Sequence, residues 1–281
     1  MGNLHWYPGH IAKAEKQLKE KLNLVDVVIE VRDARIPLSS SYKNITSLVN
    51  NKPRLVLLNK SDLANKTDTD KWVEYISKNE GLTVIKTAAN SNLDVKFLTD
   101  QIVKLSKEPI EKLIKKGLLP RASRVVIVGM PNVGKSSIIN KLTRSAKAKT
   151  GAKAGVTRLQ QWVRVNPKFD LLDTPGIIPV KMEDQKSAEK LAMVNGLSEN
   201  AYDYETIAHS LLEILKTKYE SQVRYYYKLN DQEEITIDNI AKNRNWILKD
   251  NIPDETRTAN SILTDFRSGK IGKFTLDELP C

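Results

Sequence analysis

The segment Gly129-Met130-Pro131-Asn132-Val133-Gly134-Lys135-Ser136 fits the spacing G-x-x-x-x-G-K-[ST]. Glycines at those places let the chain curl so that successive backbone N–H groups face phosphate oxygens. Lys135 would reach the β- and γ-phosphates, and the Ser136 hydroxyl would take a Mg2+ position. The backbone of Asn132, Val133, Gly134, Lys135, Ser136 and Ser137 is the expected cradle. The flanks agree: a Val-Val-Ile-Val run leads in, and a helical stretch follows whose N-terminus favours an anion.

A second group reads a purine. Asn59-Lys60-Ser61-Asp62 fits N-K-x-D at the end of an apolar run. The Asp62 carboxylate can accept from N1–H and the exocyclic amine of guanine together, a donor pair that adenine lacks. The Lys60 stem can cover the base, and Asn59 can brace the loop. Lys86-Thr87-Ala88, after the next run, is a looser fit to a backbone segment touching the guanine oxygen. Asp173-Thr174-Pro175-Gly176 fits D-x-x-G, in which the carboxylate holds Mg2+ through water and the glycine N–H meets the γ-phosphate. Between this element and the Gly-rich loop lies Gly155-Val156-Thr157, and Thr157 is the candidate to close on Mg2+ as a switch residue. The competing reading of Thr157 is a surface-loop residue.

The order of these motifs is unusual. N-K-x-D and its follower precede the phosphate loop instead of trailing it. Two separate nucleotide domains would each lack the other's motifs, whereas one circularly permuted sheet uses every motif once. Permutation moves only surface chain breaks. It also makes the segment after Gly176 run straight into whatever follows, so loss of a γ-phosphate contact could pull on it.

The elements that must position these groups follow from periodicity. The apolar-rich run at 25–31 reads as a buried parallel strand, with further strands at 54–58, 83–86 and 124–128 and short strands at 160–165 and 169–172 around Asn166-Pro167. Helical spacing occupies 12–22, 42–50, 69–79, 93–106 (extending weakly toward Lys116) and 135–143. Strands alternating with helices predict an α/β fold, a mainly parallel sheet with helices on both faces. After Gly176 the pattern turns helical, at 185–193, 204–218 and 235–243. The expected division is a permuted nucleotide-binding domain over 1–180 and a small all-helical C-terminal domain over 181–281.

Composition narrows the setting. Residues 1–180 carry 31 Lys+Arg against 16 Asp+Glu, net +15, while residues 181–281 carry 14 against 18, net −4. Such an excess is the footprint of a phosphate-backbone partner, with a solubilising surface as the bland alternative. Lys112, Lys115, Lys116, Arg121 and Arg124 precede the loop; Lys141, Arg144, Lys147, Lys149 and Lys153 follow it into the presumed switch. Arg224-Tyr225-Tyr226-Tyr227-Lys228 reads either as a stacking surface or as helix core. A single cysteine, Cys281, excludes an internal disulfide, and apolar runs are far too short for a span of ~20 residues. Gly2 opens a partial myristoylation pattern that Trp6 spoils, and the N-terminus has no apolar signal core. A cytoplasmic, monomeric protein without membrane contact is expected.

Together with Trp6-Tyr7-Pro8-Gly9-His10 and Asp33-Ala34-Arg35-Ile36-Pro37, these motifs resemble the YlqF/RbgA family of circularly permuted ribosome biogenesis GTPases. The resemblance implies a factor that binds GTP, GDP and Mg2+, acts late in assembly of the large (50S) ribosomal subunit, contacts its rRNA, and hydrolyses GTP slowly until the subunit stimulates it. The helical domain would share the RNA contact. Ile177 stands where many GTPases carry a water-orienting glutamine, and an apolar side chain cannot orient water. By the resemblance, His10 is the substitute; by sequence alone it reads as a turn histidine. Asn132 resembles the residue that binds K+ in cation-activated GTPases, or it simply shapes the loop. Two rival functions remain: a nucleotide-gated RNA-binding module with negligible hydrolysis, and a K+-dependent GTPase of RNA modification.

Overall fold

The computed structural model describes residues 16, 18–42, 45–88, 93–150, 162–172, 176–177 and 184–280, the side chains of 145–150 and 176–177 aside. Seven strands form one sheet: β1 (Val27–Asp33), β2 (Arg54–Asn59), β3 (Thr83–Lys86), β4 (Ser123–Gly129), β5 (Trp162–Asn166), β6 (Phe169–Leu172) and β7 (Gly176–Ile177). The order is β3-β2-β1-β4-β6-β5, with β7 beside the end of β4. Every pairing is parallel except β5 with β6. All residues of β1 and β2 are buried, which is why Val27–Ile29 and Leu55–Leu58 run continuously apolar instead of alternating; the charges Glu30, Arg32, Asp33 and Arg54 are buried with them.

The register places the chemistry. Asp33 lies opposite Asn59 across β1–β2, Val31 opposite Gly129 across β1–β4, and Leu58 opposite Lys86 across β2–β3. Each of these strands therefore ends at the same edge, and the crevice beyond the carboxyl ends of parallel strands is where α/β sheets take ligands. β7 sets Gly176 opposite Val128 and so brings the D-x-x-G glycine alongside the phosphate loop.

Helices α1 (Ile45–Leu48), α2 (Lys66–Asn79), α3 (Val95–Lys115) and α4 (Lys135–Thr150) cover the sheet. Asn65 and Asp94 cap α2 and α3 by accepting the N–H of Asp68 and Phe97. Trp72 and Ile76 of α2 bury against Val56, Leu58 and Ala34 on one face of the sheet. The C-terminal region is helical: α5 (Gln185–Met193), α6 (Tyr204–Tyr227), α7 (Ile237–Asn243) and α8 (Glu255–Arg267). Its core, including Leu211, Leu215, Ile262 and Phe266, is continuous with that of the sheet. Among the described residues no helix is long and apolar enough to cross a membrane.

Three features depart from the periodicity. Helix α6 continues past Lys218 to Tyr227 through non-helical angles at Tyr219, whose hydroxyl is pinned by Asp68 Oδ2 and Thr275 O, both at 3.1 Å. Helix α8 was not anticipated, although Asp254 caps it and its apolar spacing is clear. Beyond it the chain runs back over the sheet domain. Phe274 N–H donates to Leu63 O (3.2 Å) and Leu276 N–H to Arg35 O (2.8 Å). The buried Asp277 carboxylate accepts from Leu38 N–H, Ser39 N–H, Ser39 Oγ and Lys190 Nζ at 2.7–2.9 Å.

Candidate functional site

The phosphate loop is shaped by contacts that only its own residue types allow. Gly129 (φ +156°) lies so close to β1 that a Cβ there would approach Val31 O at 2.5 Å. Gly134 (φ +100°) faces the Asn59 amide, and a Cβ would meet Asn59 Nδ2 at 2.1 Å. That amide donates to Val133 O at 2.8 Å. Asn59, read from sequence as a brace for its own loop, thus ties the Asn59–Asp62 loop to the Gly129–Lys135 loop. Ser61 N–H and Oγ both donate to Thr87 O at 3.1 Å, and Thr87 N–H donates to Leu58 O, so the N-K-x-D loop and the Thr87-Ala88 segment are locked together. Asp62 is exposed at the crevice edge. Lys86 Nζ instead pairs with Asp70 of α2.

Lys60 takes a left-handed conformation (φ 59°) and reaches the phosphate loop. Its Nζ donates to Asn132 O at 2.8 Å and pairs with Asp33 Oδ2 at 3.0 Å. Asp33 is fully buried and also takes a bidentate pair from Arg35, Nε and Nη2 at 3.0 and 2.8 Å. Burial pushes the Asp33 carboxyl up, but Arg35 and Lys60 outweigh it and hold it down at about 2. Burial likewise lowers the Lys60 ammonium, partly opposed by Asp33. The Asp33-Ala34-Arg35 turn therefore anchors the Lys60 ammonium. The signal for this contact in the sequence is a carboxylate and a guanidinium two residues apart at a strand end.

Lys135 is 6 % exposed, and its ammonium donates to Met130 O at 2.5 Å. Burial alone drives its pKa down to about 8. Ser136 beside it is exposed in the first turn of α4. Asn132 (φ 56°) sends Nδ2 to Asn195 O at 2.7 Å, a link from the phosphate loop to the turn after α5. The structure thus brings Asn59–Asp62, Thr87, Ala88 and Asn132–Ser137 to one crevice, with the backbone of Gly176 at its side. His10, Thr157 and Asp173 lie outside the described residues, as do the side chains of Lys147 and Lys149, and Lys153.

Of the basic clusters, Arg121 is engaged by Asp26 (2.6 and 3.0 Å), Lys112 by Glu108, and Arg124 lies over the Trp162 ring at 5.2 Å. The Tyr225–Tyr227 run divides. Tyr227 is buried and Tyr226 sits under Arg244 at 4.9 Å, whereas Tyr225 is 89 % exposed.

Comparison with known proteins agrees with this geometry. Residues 124–246 match a family described as 50S ribosome-binding GTPase. Ribosome biogenesis GTPase A of Bacillus cereus is 40 % identical over 98 % of this chain and 93 % of its own length. Two solved structures match with TM-score 0.65 and 31 % identity: a GDP-bound TM YlqF, covering 93 % of this chain and 98 % of that one, and GNP-bound YlqF from T. maritima, covering 95 % and 98 %.

Proposed function

The chain belongs to the ribosome biogenesis GTPase A family, and from that premise we propose how this member, a guanine-nucleotide-binding GTPase of ribosome biogenesis, uses its own residues. Guanine sits on the Lys60 stem with its N1–H and amine donated to Asp62, and Thr87-Ala88 lines its edge. The backbone of Asn132–Ser137 cradles the phosphates and Lys135 meets the β- and γ-oxygens. The observation that carries this reading is the Asn59–Val133 hydrogen bond, which fixes base loop and phosphate loop as one cradle.

The donor set suits Mg2+. Ser136 Oγ is exposed at the helix start and the remaining candidates, Thr157 and Asp173, are hard oxygens. Bound there, Mg2+ would neutralise charge on the β- and γ-phosphates. The Nδ2 bond to Asn195 leaves Asn132 Oδ1 as the atom for a K+ ion. Gly176 N–H meets the γ-phosphate, and Ile177, being apolar, leaves the attacking water to be oriented by another group, for which His10 is the candidate.

The partner is the large ribosomal subunit, reached through rRNA by the basic sheet domain and by the helical region that begins near residue 181 as a second domain. The setting is the cytoplasm and the protein acts as a monomer. Single-turnover GTP hydrolysis with and without purified large subunits tests the proposal. Slow turnover alone, faster turnover with subunits, and loss of the stimulation in His10→Ala at unchanged GTP affinity are expected. Subunits that neither bind nor stimulate at low salt would overturn it, as would full stimulation of His10→Ala.

A further inference from the structure

The base-side cavity holds one side chain that no nucleotide motif supplies. It has a volume of about 240 Å3 and is lined by Asn59, Lys60 and Asp62 of the base loop, by Gly134 and Ser137 of the phosphate loop and its helix, and by Arg267. Arg267 is the last residue of α8, more than 200 positions from the base loop in sequence. The return of the chain after α8 brings it there, since Gly269 and Phe274 pack on Leu63 immediately after Asp62.

The guanidinium is held in place before any ligand arrives. Nε donates to Met193 O (3.0 Å), and Nη2 to Ala192 O (2.8 Å) and Tyr202 Oη (2.9 Å). Those carbonyls belong to the C-terminal end of α5, where a cation is favoured. Nη1 has no partner among the described residues. Fixing a long side chain ordinarily costs rotamer entropy, and here the protein has met that cost in advance. A planar, weakly hydrated guanidinium packs well on a flat aromatic ring. The purine needs such a surface. Lys60 offers one stem, and the segment after β3 reads Thr87-Ala88-Ala89, all small side chains.

We propose that Arg267 is a guanosine-binding residue contributed by the helical C-terminal region, its guanidinium packed against the nucleoside with Nη1 left to donate to it. The inference rests on the reading that this cavity receives the guanosine. It gives the C-terminal region a direct part in nucleotide affinity. The same α5 turn that holds Arg267 also accepts the Asn132 amide through Asn195 O, so base wall and phosphate loop share one support.

The test is equilibrium binding of GMP, GDP and GTP to the full chain, with urea unfolding of each variant. Arg267→Ala should weaken all three nucleotides by the same factor, about 3- to 30-fold, because the contact is to the nucleoside they share. Arg267→Lys, which keeps the charge and loses the plane, should weaken them similarly and guards against misfolding of the alanine variant. Tyr202→Phe removes one of the three supports of the guanidinium and leaves the two carbonyl contacts, so it should weaken binding less than either Arg267 change. Unchanged affinity in both Arg267 variants would overturn the proposal. So would an equal loss in Tyr202→Phe, which would mark Arg267 as a strut. Asp62→Ala separates the two levels: if it leaves the preference for guanine over adenine nucleotides intact, the cavity is not the base site and the underlying reading falls first.

Discussion

Buried charge in this molecule is met in two ways, one inside the sheet and one at the start of the helix that follows β4. In the middle of β1, Glu30 and Arg32 share one face, as residues two apart in a strand must. Arg32 bridges Glu30 (2.8 Å) and Glu80 (2.7 and 2.8 Å), and Arg54 of β2 reaches Glu30 at 2.5 Å. Burial alone would lower the Arg32 pKa, but the two carboxylates outweigh it and raise it. Every charge there has an opposite charge from the chain itself. At the crevice edge Lys135 is comparably buried, yet among the described residues its one partner is the carbonyl of Met130, and its pKa falls to about 8. A complete buried network is architecture; a buried cation left short of an anion is a binding site awaiting one.

Breaking the complete network should have the largest effect. Glu30→Ala leaves Arg32 and Arg54 without their shared carboxylate, and loss of one partner from a buried ion pair costs about 3–5 kcal/mol. Urea unfolding should show that loss, while the folded variant binds GDP within a few fold of wild type. A variant with unchanged stability, or one that is stable but cannot bind GDP, would remove the distinction between the two groups.

The incomplete site should respond in the opposite sense. Lys135→Met removes a buried charge that meets no carboxylate among the described residues and keeps the apolar stem, so the nucleotide-free protein should gain up to about 3 kcal/mol of stability, the amount that a pKa lowered from 10.5 to about 8 corresponds to. The same change removes a charge-assisted phosphate contact and should weaken GDP and GTP by roughly 1.5–3 kcal/mol or more. Thermal unfolding with and without nucleotide reads both effects. A variant less stable than wild type in the absence of nucleotide would show that Lys135 is a structural group after all.

The contrast also marks what could be seen from sequence. Lys135 stands in a spacing that lets backbone curl round phosphate, and the short runs Leu55–Leu58 and Val125–Val128 are wholly apolar, so loop and central sheet were both legible. The Glu30 network was not. Its run reads as an apolar strand with two stray charges, and nothing local says that Glu80, at the end of α2, closes on them. Arg267 was hidden for the same reason: contacts between distant segments depend on the return of the chain after α8, which no local period encodes. The helix boundary at Lys218 was misjudged because the Tyr219 break is followed by further helix, held by a tertiary contact to Thr275.

The smallest effect is a proton, and it discriminates most finely. In the nucleotide-free protein the Lys135 pKa lies near 8 against an ordinary value of 10.5. Between those two values the unfolded chain holds a proton that the folded one has released, so stability of the nucleotide-free form rises with pH across that window. Below pH 8 both forms are protonated and the cost of burying the ammonium is fully present. Nucleotide phosphates favour the ammonium and return the pKa upward, so binding above pH 8 takes up a proton. Affinity for GDP should therefore be flat up to about pH 8 and then fall, by at most about tenfold per pH unit, until the pKa of the bound state is passed. Calorimetric titration near pH 9 in two buffers of different ionisation heat should register net proton uptake, and Lys135→Met should show none from this source. Wild-type binding without proton uptake at pH 9 would mean that Met130 O already satisfies the ammonium, and Lys135 would then belong with the completed network around Glu30.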